Sequence, residues 1–221
     1  MRSPYPSDIA FTPSVKAVQD RRGSRHAYAR MEEGAGWQTT ITDELKREIE
    51  AQTSVFLATA SADGQPYIQH RGGPAGFLHV QDEHTIAFAD FAGNRQYISA
   101  GNLAENDRAQ LFLIDYATRT RIKLWGTARM VDDDPALVAR LMPPGYAARG
   151  EQALVFTVTA WDVNCPKHIP QRFEAADVRA ALAARDARIA ELESELDALR
   201  LRIDPATRQP ADDTPRTGGH R

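Results

Sequence analysis

The chemistry of this chain gathers around Arg95. The stretch from Phe88 to Asn102 reads Phe-Ala-Asp-Phe-Ala-Gly-Asn-Arg-Gln-Tyr-Ile-Ser-Ala-Gly-Asn. The pattern predicts an apolar strand over 85–88, a small-residue turn at Ala92-Gly93, and a short helix beginning at Asn94, Arg95 and Gln96. A helix start offers unpaired N–H groups and partial positive charge to an anion. A guanidinium there grips phosphate oxygens in pairs. A second segment, Gln69-His70-Arg71-Gly72-Gly73-Pro74, ends a strand, and its adjacent glycines would let backbone approach a flat ring closely. On a third, Arg121, Lys123 and Trp125 alternate onto one strand face, which points to a site or an interface rather than a core. The expectation is that the three segments converge on one ligand.

Other reactive types read differently. His70 and His168 titrate near neutral pH, yet hydrogen-bonding or loop-fixing roles suit them better than acid–base ones. Cys165 has Lys167 and His168 nearby in sequence, but it reads as a small buried thiol rather than a nucleophile. The six histidines (26, 70, 79, 84, 168 and 220) show no metal-ligand spacing. Asp132-Asp133-Asp134 reads as a solvated turn before Pro135. No glycine-rich dinucleotide fingerprint or P-loop is present, which removes those two nucleotide-binding classes. No metal is expected, and no catalytic residue is assigned.

These groups need elements to hold them. Thr12-Pro13 is a cap and first-turn pair, predicting a short helix to about Arg22 that Gly23 stops, with Ser24 capping another. Residues 1–36 thus form an N-terminal arm over the domain or a partner subunit. Thr42 begins an amphipathic helix with Leu45 and Ile49 on one face. Strands follow. Ser54 to Ala60 is apolar or small on both faces, as in a strand buried on two sides. Asp63-Gly64 is a hairpin turn with positive φ at both positions. Further strands run over 66–69, 77–80, 85–88, 110–115, 121–131 and 154–161, with a helix over 136–141. Seven short strands at hairpin spacing read as an antiparallel barrel, mainly β with flanking helices, over 37–172.

Beyond it, Val178, Leu182, Arg185, Ile189, Leu192, Leu196, Leu199 and Ile203 alternate at spacings of four and three. That is the a/d seam of a coiled coil over 173–203. With Leu182 at a, the g and e positions pair Arg188 with Glu193 and Glu195 with Arg200 across two parallel copies, which favours a homodimer. Arg185 at d weakens the seam locally. Residues 204–221 hold three prolines and no apolar periodicity, and disorder is expected there.

Bulk properties bound the answer. The chain has 221 residues, formal net charge −3, 42% hydrophobic and 26% charged residues, with pI ≈ 6.1. No basic field points to nucleic acid, and no apolar run is long enough for a membrane helix. The first residues lack a signal-peptide core. The one cysteine cannot form an internal disulfide. A cytoplasmic location is therefore expected.

Over about residues 40–170 the chain resembles the pyridoxamine 5′-phosphate oxidase-related, FMN-binding split-barrel superfamily. Four landmarks carry the resemblance: the 54–60 strand with its Asp63-Gly64-Gln65-Pro66 turn; Gln69-His70-Arg71-Gly72; Phe88 to Gln96, with Asn106-Asp107-Arg108-Ala109 downstream; and Lys123-Leu124-Trp125-Gly126-Thr127-Ala128. Trp161 to Ile169, with its Trp-Asp-x-Asn-Cys-Pro-x-His-Ile pattern, is similar to a bacterial branch of predicted flavin-nucleotide-binding proteins.

The resemblance implies FMN as cofactor. It puts Gln69, His70, Arg71 and Gly72 along the flavin ring, largely through backbone, with Phe88 and Ala89 beside it. It puts Asn94, Arg95 and Gln96 on the phosphate, and Arg121 near the ring. The oxidase has lysine where Gln96 stands, so Lys123 or Lys167 would have to compensate. The family's flavin lies at a dimer interface, which brings in Asn164, Lys167 and His168 from a partner chain. The oxidase's C-terminal substrate-binding pattern is absent. The implied function is an FMN-binding oxidoreductase acting on a small molecule other than pyridoxamine phosphate. A flavin carrier without turnover, or a split barrel using deazaflavin or haem, stays open.

Overall fold

The computed structural model describes residues 5–164 and 166–203. The expectations for Cys165, His220 and the 204–221 tail fall outside the described residues. Those up to Gln171 form one compact unit and those from Arg172 onward a second.

The first unit is built on a seven-stranded antiparallel sheet with flanking helices, a split-barrel fold. Its strands are β1 (Ser54–Ala60), β2 (Pro66–Gly72), β3 (His79–Val80), β4 (Thr85–Phe91), β5 (Arg108–Asp115), β6 (Thr120–Val131) and β7 (Gly150–Asn164). They lie in the order β2-β1-β5-β6-β7-β4-β3. Among the described residues, the α-helices are α1 (Pro13–Arg22), α2 (Arg25–Glu33), α3 (Asp43–Glu50), α4 (Ile98–Glu105), α5 (Pro135–Leu141) and α6 (Ala175–Ile203), the last in the second unit.

The core follows from period-2 burial. Leu57, Ile86, Phe88, Leu111, Leu113, Leu124, Leu154 and Phe156 are all buried in one cluster, each worth about 1.5–3 kcal/mol on leaving water. The two-sided burial expected of β1 is corrected. Val55, Leu57 and Thr59 are buried, while Phe56, Ala58 and Ala60 are only half-buried. Phe56 meets the rings of His70 and Phe112 edge-on, so its face is a thin aromatic layer and not a second core. Small and aromatic residues read alike in either setting.

Turns and caps set the registers. Between β1 and β2 the hairpin forms as expected, but only Gly64 is left-handed, with φ 91°. The Gly64 N–H donates to the Ser61 carbonyl at 3.0 Å and the Ser61 N–H to the Gln65 carbonyl at 3.1 Å. This is the longer glycine-terminated loop rather than the two-residue turn. β6 slips register between Trp125 and Gly126. A Cβ at Gly126 would lie 1.9 Å from the Thr157 carbonyl oxygen, so only glycine lets β7 approach there. Thr42 caps α3 by accepting the Leu45 N–H at 3.1 Å, and Asp134 caps α5 through the Leu137 N–H at 2.8 Å.

The arm folds as a short 3-10 helix (Pro6–Ile9) against β7, followed by α1 and α2, which pack on each other. Thr12 accepts the Val15 N–H at 3.3 Å, and Gly23 ends α1 with φ 76°. Ser24 precedes α2 but its hydroxyl does not cap it; it donates to the Gln19 carbonyl instead. Phe11 packs edge-on to Tyr28 and tilted on Trp37, each with centroids 5.2 Å apart. Trp37 then stacks on Trp125 of β6 at 4.4 Å.

Candidate functional site

Two of the three segments meet in one pocket. Strand alternation places Tyr67, Gln69 and Arg71 of β2 on the face toward it. The β4–α4 loop contributes Asn94, Arg95 and Gln96, and the first turn of α4 contributes Ile98, Ser99 and Ala100. The floor comes from β4 and β7 through Asp90, Glu151 and Gln152, with Asp90 opposite Gln152 in the ladder.

The helix start lies later than expected. α4 begins at Ile98, and Asn94, Arg95 and Gln96 form the loop that leads into it. The cause is local backbone: Arg95 (φ 58°) and Tyr97 (φ 52°) are both left-handed, which a helix cannot include. Such conformations cost about 1–3 kcal/mol each and gather at functional sites. Tyr97 supplies no side-chain cap, so the first turn of α4, whose Ile98, Ser99 and Ala100 line the pocket, starts uncapped.

The electrostatics are mixed. Arg95 Nη2 bonds Glu151 Oε1 at 3.3 Å, and the Tyr97 hydroxyl donates to Glu151 Oε2 at 3.3 Å. Arg71 Nη1 lies 3.2 Å from Asp90 Oδ1, and Gln152 Nε2 donates to Asp90 Oδ2 at 2.9 Å. Beneath these pairs, two buried donors have no hydrogen-bond partner, Ser99 Oγ and Arg71 Nε, and Asp90 Oδ1 is met only by the Arg71 ion pair. Ser99 is only 4% exposed. Two unmade donors beside a helix start are costly in an empty fold and suit an anion with several oxygens. A terminal phosphate fits this donor set.

The remaining candidates lie elsewhere. His70 is on the opposite face of β2, with Nε2 2.8 Å from Ser54 Oγ. Phe88 and Ala89 are in the core, 1% and 2% exposed. The glycines serve packing: a Cβ at Gly73 would lie 2.7 Å from Phe77 Cβ, and one at Gly72 would meet the His70 ring at 3.0 Å. Lys167 and His168 are exposed in a turn, with His168 at φ 65°, and Asn164 is paired with Arg121 across β7 and β6. Of these, His70, Phe88, Ala89, Gly72, Gly73, Lys167 and His168 do not line the pocket of Arg95.

The third segment does not converge with the other two within one chain. Lys123 and Trp125 line a separate concavity under the arm, with Phe11, Tyr28, Trp37 and Asp162. Lys123 Nζ lies 5.9 Å from the Trp125 ring centre and faces Asp162 across the ladder. Burial, and then the nearby Arg121 charge, push the Lys123 amine below its ordinary pKa, while Asp162 pulls it back up. Burial also raises the Asp162 carboxyl above the usual carboxylate range. Arg121 Nε is buried without a hydrogen-bond partner. Within one chain, neither Lys123 nor Lys167 lines the pocket of Arg95 and Gln96.

Sequence reasoning missed Ser99, Tyr97, Asp90, Glu151 and Gln152. Ser99 had a signal, a small hydroxyl in the first turn after an arginine loop. Glu151 and Gln152 had none, because only the β4–β7 pairing brings them in.

A family model described as pyridoxamine 5′-phosphate oxidase matches residues 41–165. No curated protein matches the chain. Among solved structures, the HupZ protein of Group A Streptococcus is 16% identical, with 60% of this chain and 99% of that one covered and a TM-score of 0.45. An FMN-binding protein from Syntrophomonas wolfei is 13% identical over 69% and 97% of the two chains, TM-score 0.42. A protein related to general stress protein 26, of the pyridoxinephosphate oxidase family, from Clostridium acetobutylicum is 18% identical over 59% and 91%, TM-score 0.40.

Proposed function

Because this chain belongs to the pyridoxamine 5′-phosphate oxidase family, we propose that it is a flavoprotein that binds FMN by its phosphate in the Arg95 pocket and acts as an oxidoreductase on a small molecule. The observation that carries this reading is the pair of buried, unpartnered donors, Ser99 Oγ and Arg71 Nε, lining one pocket with Arg95 and the uncapped start of α4.

Each group has a task there. Arg95 turns its fork from Glu151 to two phosphate oxygens. Ser99 donates from below, and the α4 N–H groups complete the cradle. Arg71, held by Asp90, keeps positive charge at the pocket wall on the β2 side, and Tyr67 and Gln69 line that wall. When bound, FMN supplies hydride or electron transfer, and the protein supplies position and electrostatics. The reading includes a homodimer in which a second copy closes the ring end of the site, so that Arg121, Asn164, Lys167 and His168 serve the neighbouring chain's flavin. A terminal phosphate is favoured over haem because His70 is engaged by Ser54 on the opposite face of β2.

Titrating the full-length protein with FMN, by flavin fluorescence or calorimetry, tests the reading. Arg95→Ala removes a charged hydrogen bond worth about 1.5–3 kcal/mol, so the Kd is expected to rise about 10–150-fold. An unchanged Kd would remove the phosphate assignment.

A further inference from the structure

α6 turns an apolar seam to solvent. Val178, Leu182, Ile189, Leu192, Leu196 and Leu199 lie along one line of the helix, and each is 42–52% exposed. The helix is 29 residues long, about 43 Å at 1.5 Å per residue. Most helical stability in proteins comes from packing an apolar face rather than from propensity, and a continuous exposed apolar line marks an interaction surface.

We propose that the seam is the docking surface for α6 of a second copy, forming a parallel two-stranded coiled coil. The charges beside the seam select this occupant and this direction. With Leu182 at a, residues 188 and 195 fall at g and residues 193 and 200 at e. In a parallel pair, each g position meets the following e position of the other copy. Arg188 then faces Glu193, and Glu195 faces Arg200. Both pairs have opposite signs. An antiparallel pair with the same layers matched end to end sets e against e. That puts Arg179 against Arg200 and Asp186 against Glu193, two like-charge contacts, while the matching g–g contact of Arg188 with Glu195 is the one opposite-sign pair. A partner with a uniformly acidic or basic helix would satisfy only half of these positions.

The seam also holds a device for register. Arg185 is the one charged residue at an a or d position. A single polar seam residue fixes alignment and strand number at some cost in stability. In an in-register dimer both Arg185 side chains fall in one layer, where their long stems still reach water. A heptad slip would set each guanidinium against an apolar layer instead. In the lone helix, Arg188 bonds Glu191 at 2.8 Å and Arg200 bonds Asp197 at 3.2 Å, all well exposed. Such pairs are weak, so both arginines are free to exchange them for Glu193 and Glu195 of the second copy.

Site-specific cross-linking of the full chain tests this independently of the flavin reading. In a Cys165→Ser background, Leu199→Cys places a thiol at d and Asp197→Cys places one on the outer face. Mild oxidation is expected to join Leu199→Cys chains at least tenfold faster than Asp197→Cys chains. Adding Leu192→Asp, which breaks the seam, should cut the Leu199→Cys rate by a similar factor without changing FMN titration. Mixing Leu182→Cys chains with longer, tagged Leu199→Cys chains should give like-with-like dimers only. Equal rates at 197 and 199, no cross-linking at either, insensitivity to Leu192→Asp, or mixed 182–199 dimers would each overturn the proposal.

Discussion

Replacing Ser99 with alanine should make the empty protein more stable and the loaded protein less so. Ser99 is 4% exposed, and its Oγ has no hydrogen-bond partner. Burying such a hydroxyl unpaired costs about 1–3 kcal/mol, and deletion relieves that cost. Ser99 also occupies the first turn of α4, where alanine adds a few tenths of a kcal/mol at most in helix propensity. For a chain of this size each kcal/mol moves Tm by roughly 2–4 °C, so the apo variant should melt at least about 2 °C higher. With FMN the sign reverses. Losing a hydrogen bond to a charged phosphate costs about 1.5–3 kcal/mol, so the Kd should rise about 10–150-fold. Thermal scans with and without saturating FMN, together with a titration, read both effects. A serine that merely holds the fold would lower the apo Tm when removed and leave FMN affinity alone. That outcome would refute the reasoning.

Two further outcomes follow from the charges. Glu151 holds Arg95 and Tyr97 in the empty pocket and would repel a phosphate, so Glu151→Gln should tighten FMN binding. A partly exposed ion pair is worth up to about 1 kcal/mol, which sets the gain at several-fold in the same titration. Lys123 has a folded pKa below its ordinary value, chiefly through burial. The folded state therefore holds fewer protons than the unfolded one between that value and 10.5. Stability rises with pH across this window, the penalty being fully present below it. Asp162 raises the Lys123 pKa, so Asp162→Asn should lower it further and widen the window. NMR titration of 13C-labelled lysine checks both the direction and the change.

The fold was legible where one physical signal dominated. Thr42 and Thr12 announced their helices because a capping oxygen ahead of a helical run has few other uses, whereas Asp134, read as part of a solvated turn, caps α5. Gly23 and Gly64 stopped chains at left-handed positions. β1 misled because Phe56, Ala58 and Ala60 have the residue types of a buried face, and only the assembled sheet leaves them half-covered. At the site, Arg95, Gln69 and Arg71 were legible from local spacing. Gly72 and Gly73 were read as a ring approach, but their space is taken by His70 and Phe77. Lys123 was grouped with the phosphate loop because charge alone shows no direction. Its strand carries it under the arm with Trp37 and Trp125 instead. Asp90 and Glu151 counter the arginines through strand pairing between residues about sixty apart, which no local pattern reveals. Among the described residues, no helix is long and apolar enough to cross a membrane.

The central claim is that this chain holds FMN by its phosphate. The visible absorption spectrum of the purified full-length protein, recorded as isolated and again after FMN addition and exhaustive dialysis, tests it most directly. Retained bands at about 370 and 450 nm, those of an oxidised protein-bound flavin, are the predicted result, and Arg95→Ala should lose them on dialysis. A protein that stays colourless after dialysis, wild type and variant alike, would contradict the account.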